Sequence, residues 1–522
     1  MELRKCWVQS IELEKPNIQN NTADVQRLET AIKQTIKNTF NKKEAQIKVR
    51  IPFKIIRHLP SFIRKWDSKA KVILFRQKQD WIVLDILPPN SEQAILGAAV
   101  DIGTTRIEIS LIDLQTGKEI AKTGFDNPQG LKGPDILTRV HYSAGPGRLE
   151  ELSRLITQAL NQNLDNLCRE NGYTKENIYI VAGAGNTAMT HLFAGIESFD
   201  LIKEPYIPCT NIPDTIEAGQ LGLDINKKGM VYLFPNIGSY FGGDLIAGIL
   251  YSGLDQKTAP CLMVDVGTNA EIAVGSREFL IACAGAAGPA LEGGVSKIGM
   301  TAKPGVIDKI WIDPDTKEIQ FHTIEDKAPI GICGSGMIDL AAALFLSGRM
   351  DIRGKLVESE CRDRFIQTEG INAFVLADEK TSDTGEAIIL SQVDLNSLTS
   401  SKAAMFTILE VIVKNTAGLD FHDLEKFMVA GTFGSFINPV SAISIGMLPD
   451  IPVSSFEVLG NSSLGGTKQL LLKPDAYDRI LHIRDKITYI ELNVNQEFMN
   501  MFSGAKFYPH TDISKFPSLK IQ

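Results

Sequence analysis

The sequence predicts a mixed α/β architecture preceded by a small α+β module, and three observations carry that expectation. From Ile95 onward, runs rich in Val and Ile are separated by glycine turns and alternate with helical stretches such as LEELSRLITQALNQNLDNLCREN and KAAMFTILEVIVKNTAG. Ahead of Ile95 stand one amphipathic helix, RLETAIKQTIKNTFNKK, and two apolar strands, KVILF and WIVLDIL, closed off by Pro88, Pro89 and Asn90. Finally, one short phrase is written twice: VDIGTT at Val100–Thr105 and VDVGTN at Val264–Asn269.

A chain of 522 residues is long enough for more than one core. Residues 1–20 alternate briefly in WVQSIEL and then reach Pro16 and an Asn-rich turn, which reads as a strand running into a linker. Residues 21–95 form the small module, with Thr22 or Asp24 capping its helix. The two copies of the repeated phrase then divide the remainder into a first lobe, 96–260, and a second lobe, 261–522, which includes a C-terminal segment.

Charge and composition narrow the function classes. The net charge of −8 disfavours a general binder of polyanions, so nucleic acid is not an expected partner. No run of about 18 uncharged apolar residues is present, and MELRKCWVQSIELEK lacks the apolar core of a signal peptide. A cytoplasmic protein without a membrane partner is expected. The seven cysteines are scattered singly, with no CxxC pair, and read as reduced thiols. Residues 1–95 hold 18 Lys plus Arg against 10 Asp plus Glu, a net of +8 that leaves −16 for the rest. Such asymmetry fits a basic docking face, and it equally fits lysines that solvate a helix.

The repeated phrase has a chemistry. In AAVDIGTTRIEISLIDL an apolar strand delivers Asp101, Gly103 turns the backbone, and Thr104 and Thr105 offer amides and hydroxyls before Arg106 opens the return strand. A hairpin of this build can set N–H groups around phosphate oxygens while the aspartate reaches a hydrated Mg²⁺. PCLMVDVGTNAEIAVG repeats it with Asp265, Gly267, Thr268 and Asn269. One Asp-x-Gly-Thr fits any hairpin, whereas two copies, each between an apolar and an alternating strand, point to a phosphate clamp with Asp101 and Asp265 at the metal.

Other glycine turns fall in order around the two hairpins. FGGDLIAGILYSGLD places Asp244 at the start of a small-residue helix, where an ordinary cap also explains it. AGAAGPALEGGVSKIG carries Gly288 and Glu292, and FMVAGTFGSFINP breaks a strand at Gly431, Thr432 and Gly434. In VAGAGNTAMTHLFAG and GICGSGMIDLAAALFLSG most residues suit close helix packing, with Gly334 and Ser335 at a helix start that can face a nucleotide.

This order resembles the superfold shared by actin, heat-shock chaperones and sugar kinases (ASKHA), a two-lobed ATPase fold. The resemblance implies that the paired hairpins bind the phosphates of ATP with Mg²⁺, that Asp244 positions the attacking water, and that Gly288 and Glu292 border the ribose. It also implies that Gly431, Thr432 and Gly434 line the adenosine. The wording is more specific still. KCWVQSIELEKPNIQNNTADVQRLETAI, AAVDIGTT, GAGNTAMTHL, FGGD, AAGPALEGG, GICGSGMIDL, AGTFGSFI with IGMLPD, LGNSSLGG and YIELNVNQEFMNMF together resemble the reductive activators of corrinoid-dependent enzymes. In that family ATP use is coupled to reduction of a Co(II) corrinoid to Co(I), and a homodimer is implied. Its members usually begin with a plant-type [2Fe–2S] domain, whereas Cys6 stands alone here, so no iron-sulfur cluster is expected in this chain. Expected partners are a corrinoid protein or corrinoid-dependent methyltransferase and a separate low-potential, ferredoxin-like electron donor, for which the basic residues 1–95 offer a dock. Two other readings stay open: a small-molecule kinase in which Asp244 deprotonates an acceptor hydroxyl, and a non-catalytic ATP-binding scaffold for a corrinoid protein. An activator of a radical dehydratase would need bridging cysteines, and Cys283 and Cys333 read as packing residues.

Overall fold

The computed structural model describes residues 7–40, 47–78, 80–213, 215–239, 241–267, 270–285, 298–300, 302–313, 316, 318–431, 434–492 and 496–519. Two compact units emerge: Met1–Tyr251 with Ser462–Asp485, and Ser252–Asn461 with Lys486–Gln522.

The small module opens the first unit. It comprises β1 (Val8–Glu12), α1 (Asp24–Phe40), β2 (Lys48–Arg50), α2 (Phe53–Ile56), α3 (Leu59–Lys65), β3 (Lys69–Gln77) and β4 (Asp80–Leu87), with the strands ordered β1-β3-β4-β2. α1 begins on Asp24 and carries Lys37 in its last turn, each charge opposing the helix dipole's end. Its Leu28, Ile32 and Ile36, spaced by four, are wholly buried in the module's core. β1, foreseen as a strand ahead of a linker, pairs antiparallel with β3. Buried polar contacts fix the module to the rest of its unit. The Asp85 carboxylate accepts from the Tyr179 hydroxyl (3.0 Å) and pairs with Lys228; burial and that carboxylate push the phenol's pKa up. Trp7 Nε1 donates to the Leu471 carbonyl (3.1 Å), and Arg76 pairs with Asp478 while its guanidinium lies 4.4 Å from the Tyr477 ring centre.

The body of this unit follows as β5 (Leu96–Ile102), β6 (Arg106–Asp113), β7 (Glu119–Asp126), α4 (Ile136–Ser143), α5 (Arg148–Glu170), β8 (Ile178–Ala184), α6 (Thr187–Ala194), β9 (Ile216–Glu217), β10 (Met230–Leu233) and α7 (Gly243–Ser252). The strands order as β7-β6-β5-β8-β10-β9: an antiparallel meander, β7-β6-β5, continued by parallel β8 and β10. β5 and β8 are buried almost end to end, as central strands covered on both faces must be.

In the second unit come β11 (Cys261–Val266), β12 (Ala270–Gly275), β13 (Leu280–Gly285), β14 (Val306–Ile312), β15 (Ile319–Thr323), β16 (Gly331–Ile332), α8 (Gly334–Leu346), α9 (Glu358–Cys361), β17 (Phe365–Thr368), β18 (Ile371–Ala377), β19 (Ile388–Ser391), α10 (Gln392–Glu410), β20 (Lys426–Ala430), α11 (Pro439–Ser444) and β21 (Phe456–Gly460). The chain ends with α12 (Ser462–Leu472), α13 (Ala476–Lys486), β22 (Ile487–Ile490) and α14 (Gln496–Ala505). The main sheet reads β21-β20-β11-β12-β13-β22. Taken from β13 to β21, it repeats the plan of the first: a meander, β13-β12-β11, and then parallel β20 and β21. α8, apolar but for Ser335 and Asp339, is buried along all but its last residue in this unit's core.

One segment departs from the expected lobes. Ser462–Asp485, assigned with 261–522 from the sequence, packs in the first unit. Small residues make this possible. A Cβ built on Gly466 of α12 would fall 2.1 Å from the Ala247 carbonyl oxygen of α7, and one on Gly97 of β5 would fall 3.2 Å from Leu471 Cδ1. Helix and sheet approach too closely there for larger side chains.

Candidate functional site

In the first unit the parallel strands β5 and β8 end where α7 begins. Asp101, one residue before the end of β5, lies opposite Glu108 of β6 and Ala184 of β8. Its Oδ1 accepts a 2.8 Å hydrogen bond from Ser463 Oγ, in the first turn of α12. The turn after it needs glycine: a Cβ on Gly103 would fall 2.3 Å from the Arg106 carbonyl oxygen. Asn127 holds the turn from the other side, its Nδ2 donating to the Gly103 carbonyl and its N–H to the Thr105 carbonyl, both at 2.8 Å. Thr104 Oγ1 accepts from Asn186 Nδ2 (3.0 Å), and Asn186 Oδ1 caps α6 by accepting from the Met189 N–H (2.9 Å). Thr105 is exposed. Arg106 lies along β7, donating to the Gly124 carbonyl (3.0 Å) and standing 3.5 Å from Asp126.

Asp244 joins this group through glycines. Its N–H donates to the Gly185 carbonyl (3.3 Å), and its Oδ1 accepts from the Leu245 N–H (2.9 Å) at the positive end of α7. A Cβ on Gly185 would sit 2.7 Å from the Ile102 carbonyl oxygen, and one on Gly242 would sit 2.2 Å from Asn186 Cα and 2.6 Å from Asp244 Oδ1. Asp101, Thr104, Asn186 and Asp244 therefore stand at one end of one sheet.

The second unit repeats the arrangement within itself. Asp265, one residue before the end of β11, lies opposite Glu271 of β12 and Ala430 of β20, and Gly267 begins the turn. Gly431 follows β20 as Gly185 follows β8. With φ of +87° it occupies a conformation that side chains resist, and a Cβ there would fall 2.6 Å from the Val266 carbonyl oxygen and 2.8 Å from Asp265 Oδ1. Its N–H donates to the Gly460 carbonyl (3.0 Å), while Gly434 lies against Val429. The two turns differ by one residue: 103–106 intervene between paired Ile102 and Ile107, against 267–269 between Val266 and Ala270.

Gly334 and Ser335 begin α8, where Ser335 is buried and its hydroxyl donates to the Asp308 carbonyl (3.1 Å). Thr268, Asn269, Gly288, Glu292 and Thr432 lie outside the described residues. Three residues at these strand ends escaped the sequence reading: Gly185, Asn186 and Ser463. The signal for the first two was present, because AGN after β8 echoes AGT after β20, each following a strand whose last residue pairs with the hairpin aspartate. For Ser463 the signal was weaker, a small-residue helix start in GNSSLGG that parallels FGGD.

Carboxylates, a threonine hydroxyl, a carboxamide and glycine turns suit a phosphate with a hydrated hard cation. Among the described residues no group of three or more His, Cys, Asp or Glu forms an all-protein metal cage. Nor is any described helix long and apolar enough to cross a membrane. Burial pushes the Cys283 thiol pKa up, as befits a packing residue rather than a reactive one.

Comparison with known proteins aligns the whole chain with one kind of protein. Three family models match in succession: the RACo linker region over residues 5–93, the RACo middle region over 96–257, and the C-terminal domain of RACo, the ASKHA domain, over 259–520. The corrinoid activation enzyme RamQ of Eubacterium limosum is 30% identical over 429 residues, covering 80% of this chain and 72% of that protein. The [Co(II) methylated amine-specific corrinoid protein] reductase of Methanosarcina barkeri is 24% identical over 440 residues, covering 78% and 76%. A solved structure of a reductive activator for corrinoid, iron-sulfur protein superposes with a TM-score of 0.83 at 34% identity, over 98% of this chain and 80% of that one.

Proposed function

The chain belongs to the RACo family of reductive corrinoid activators, and on that premise we propose that it uses ATP to drive reduction of an inactive Co(II) corrinoid to Co(I) on a corrinoid protein or methyltransferase. A separate low-potential carrier gives up one electron, the cobalt takes it, and ATP is hydrolysed to ADP and phosphate. The observation that carries this reading is the duplicated strand end: an aspartate, a glycine turn and a closely approaching second glycine, once in each unit.

In this reading Asp101 and Asp265 hold the hydration shell of Mg²⁺, which when bound neutralises phosphate charge. Backbone amides of Gly103, Thr104, Thr105 and Gly267 surround phosphate oxygens. Asn186 holds the Thr104 hydroxyl, and Ser463 holds the Asp101 carboxylate. Asp244, fixed at the start of α7, orients the attacking water. Gly431 and Gly434 let the backbone come close to the nucleoside. ATP enters the energetics through differential affinity, since an activator shifts the cobalt couple only as far as its own states bind the two cobalt forms differently.

The test is direct. The pure protein is mixed with a Co(II) corrinoid protein, Mg·ATP and a low-potential reductant, and the cobalt spectrum is followed. Co(I) should form only with ATP present, and Asp265→Ala should abolish both ATP turnover and Co(I) formation while leaving the circular dichroism unchanged. Co(I) forming equally well without ATP, or an Asp265→Ala variant as active as the parent, refutes the reading.

A further inference from the structure

The N-terminal module carries its charge unevenly. Residues 47–66 hold six Lys and Arg and no Asp or Glu. Several other cations of the module have carboxylate partners: Lys15 pairs with Asp67, Arg27 and Arg64 with Asp24, Lys33 with Glu29, and Arg76 with Asp478. Lys48, Arg50, Lys54 and Arg57 are exposed, and among the described residues none of them forms an ion pair, even though Asp80 stands opposite Lys48 in the register of β4. Between them Phe53 is 73% exposed. These residues lie on β2, one of the two outer strands of the β1-β3-β4-β2 sheet, and on the helix turn that follows and its C-terminal flank. The contacts that anchor the module come from elsewhere, at Trp7, Arg76 and Asp85.

Short, cationic edge strands are a common defence against unwanted strand pairing. That explains Lys48 and Arg50. It does not explain Lys54, Arg57 or the exposed ring of Phe53, all of which lie beyond the strand. An exposed ring within a run of exposed cations that have no ion pair suits a transient, electrostatically steered interface, with one apolar anchor and a charged rim. The sign of the partner follows. Outside residues 1–95 the chain carries −16, so an acidic protein is repelled by the remainder and drawn to this edge. A nucleic acid meets the same repulsion along a far greater length of charge.

We propose that the β2 edge, together with the helix turn that begins at Phe53, docks a separate, acidic one-electron carrier protein. This rests on the reductive role proposed above, which requires a carrier. The docked carrier loses one electron and the corrinoid cobalt gains it. Docking here is brief, as suits a partner that must leave after each electron.

The experiment uses the full chain, a purified low-potential [2Fe–2S] ferredoxin of strongly negative charge as probe, and two variants: Phe53→Ser, and the combined Lys48→Glu, Arg50→Glu, Lys54→Glu, Arg57→Glu. Both should melt like the parent, because all five side chains are exposed. The association rate of ferredoxin with the parent should fall roughly tenfold or more between about 20 and about 200 mM salt, and the charge-reversed variant should lose about the same factor at low salt. Phe53→Ser should mainly speed dissociation. Association that ignores salt, or that is equal in the charge-reversed variant, overturns the proposal. So does preferential binding of this edge to a single-stranded oligonucleotide or to anionic vesicles over ferredoxin. A second arm replaces ferredoxin by titanium(III) citrate, which needs no dock. The charge-reversed variant should then reduce the corrinoid cobalt at the parental rate and turn over ATP normally. Failure of the parent with titanium(III) refutes the activator function itself, while the binding arm still decides the docking surface.

Discussion

Ser463→Ala removes one oxygen atom from the interior of the first unit and tests whether the Asp101 carboxylate is held for a purpose. Ser463 is 5% exposed, and its hydroxyl donates to Asp101 Oδ1 at 2.8 Å. A hydrogen bond to a charged group is worth about 1.5–3 kcal/mol. If the carboxylate must point correctly only when Mg·ATP is bound and reacting, that energy is lost mainly from the transition state. A tenfold rate change corresponds to about 1.4 kcal/mol, so kcat/KM for ATP should fall roughly ten- to a hundredfold. The melting temperature should move by only a few degrees, on the order of 2–4 °C per kcal/mol for a unit of this size. ADP release in the presence of a Co(II) corrinoid protein, alongside thermal melting, measures both effects. Ser463→Thr keeps the hydroxyl and should recover most of the rate. Parental kcat/KM in Ser463→Ala, or equal damage in Ser463→Thr, would show that the serine merely packs.

Gly431→Ala should be more damaging than Gly185→Ala, because both meet a carbonyl within 2.7 Å but only Gly431 also has a positive φ. The difference should be about 1–2 kcal/mol in denaturant unfolding, and equal losses would remove φ as the cause. His510 supplies a pH signature. Burial, then Lys515 and Lys402, lower its pKa to about 4, and its Nδ1 accepts from the Asp512 N–H. Between pH 6.5 and about 4 the unfolded chain binds a proton that the folded chain excludes, so stability falls as pH drops through that window. Melting curves should show a shallower fall for His510→Asn; an identical fall would assign the acid sensitivity elsewhere. Of the described cysteines Cys209 is exposed, and Cys168, Cys261, Cys283, Cys333 and Cys361 are buried. Mass spectrometry after brief alkylation of the native protein should find Cys209 labelled and those five protected; prompt labelling of Cys283 would contradict its burial.

The hairpins were legible because their chemistry is local. An apolar strand, an aspartate and a glycine turn lie within six residues, and two copies exclude accident. What surrounds them is assembled from distant parts of the chain. Asn186 reaches Thr104 across 82 residues and Ser463 reaches Asp101 across 362, and neither residue type is distinctive alone. Gly185 does not stand out in the sequence because its packing partner, the backbone after Asp101, is known only once β8 is placed beside β5. The module's basic charge could be counted from the sequence, whereas which cations stay unpaired depends on Asp24, Glu29 and Asp67 taking the others. Internal pairing, not composition, decided where the free charge lies.

The excursion of Ser462–Asp485 into the first unit constrains how this chain is born and how it can be divided. β5 ends at Ile102, but the helix that covers it begins only at Ser462. On the ribosome the first unit must therefore wait, with Gly97 and its neighbours uncovered, until nearly all of the second unit has emerged. A cut between residues 251 and 252 yields no free-standing half either: one product lacks its covering helix, and the other carries that helix with nothing to cover. The two halves, expressed separately, would have to rejoin through α12 and α13, which makes fragment complementation a natural assay for whether the first unit has closed.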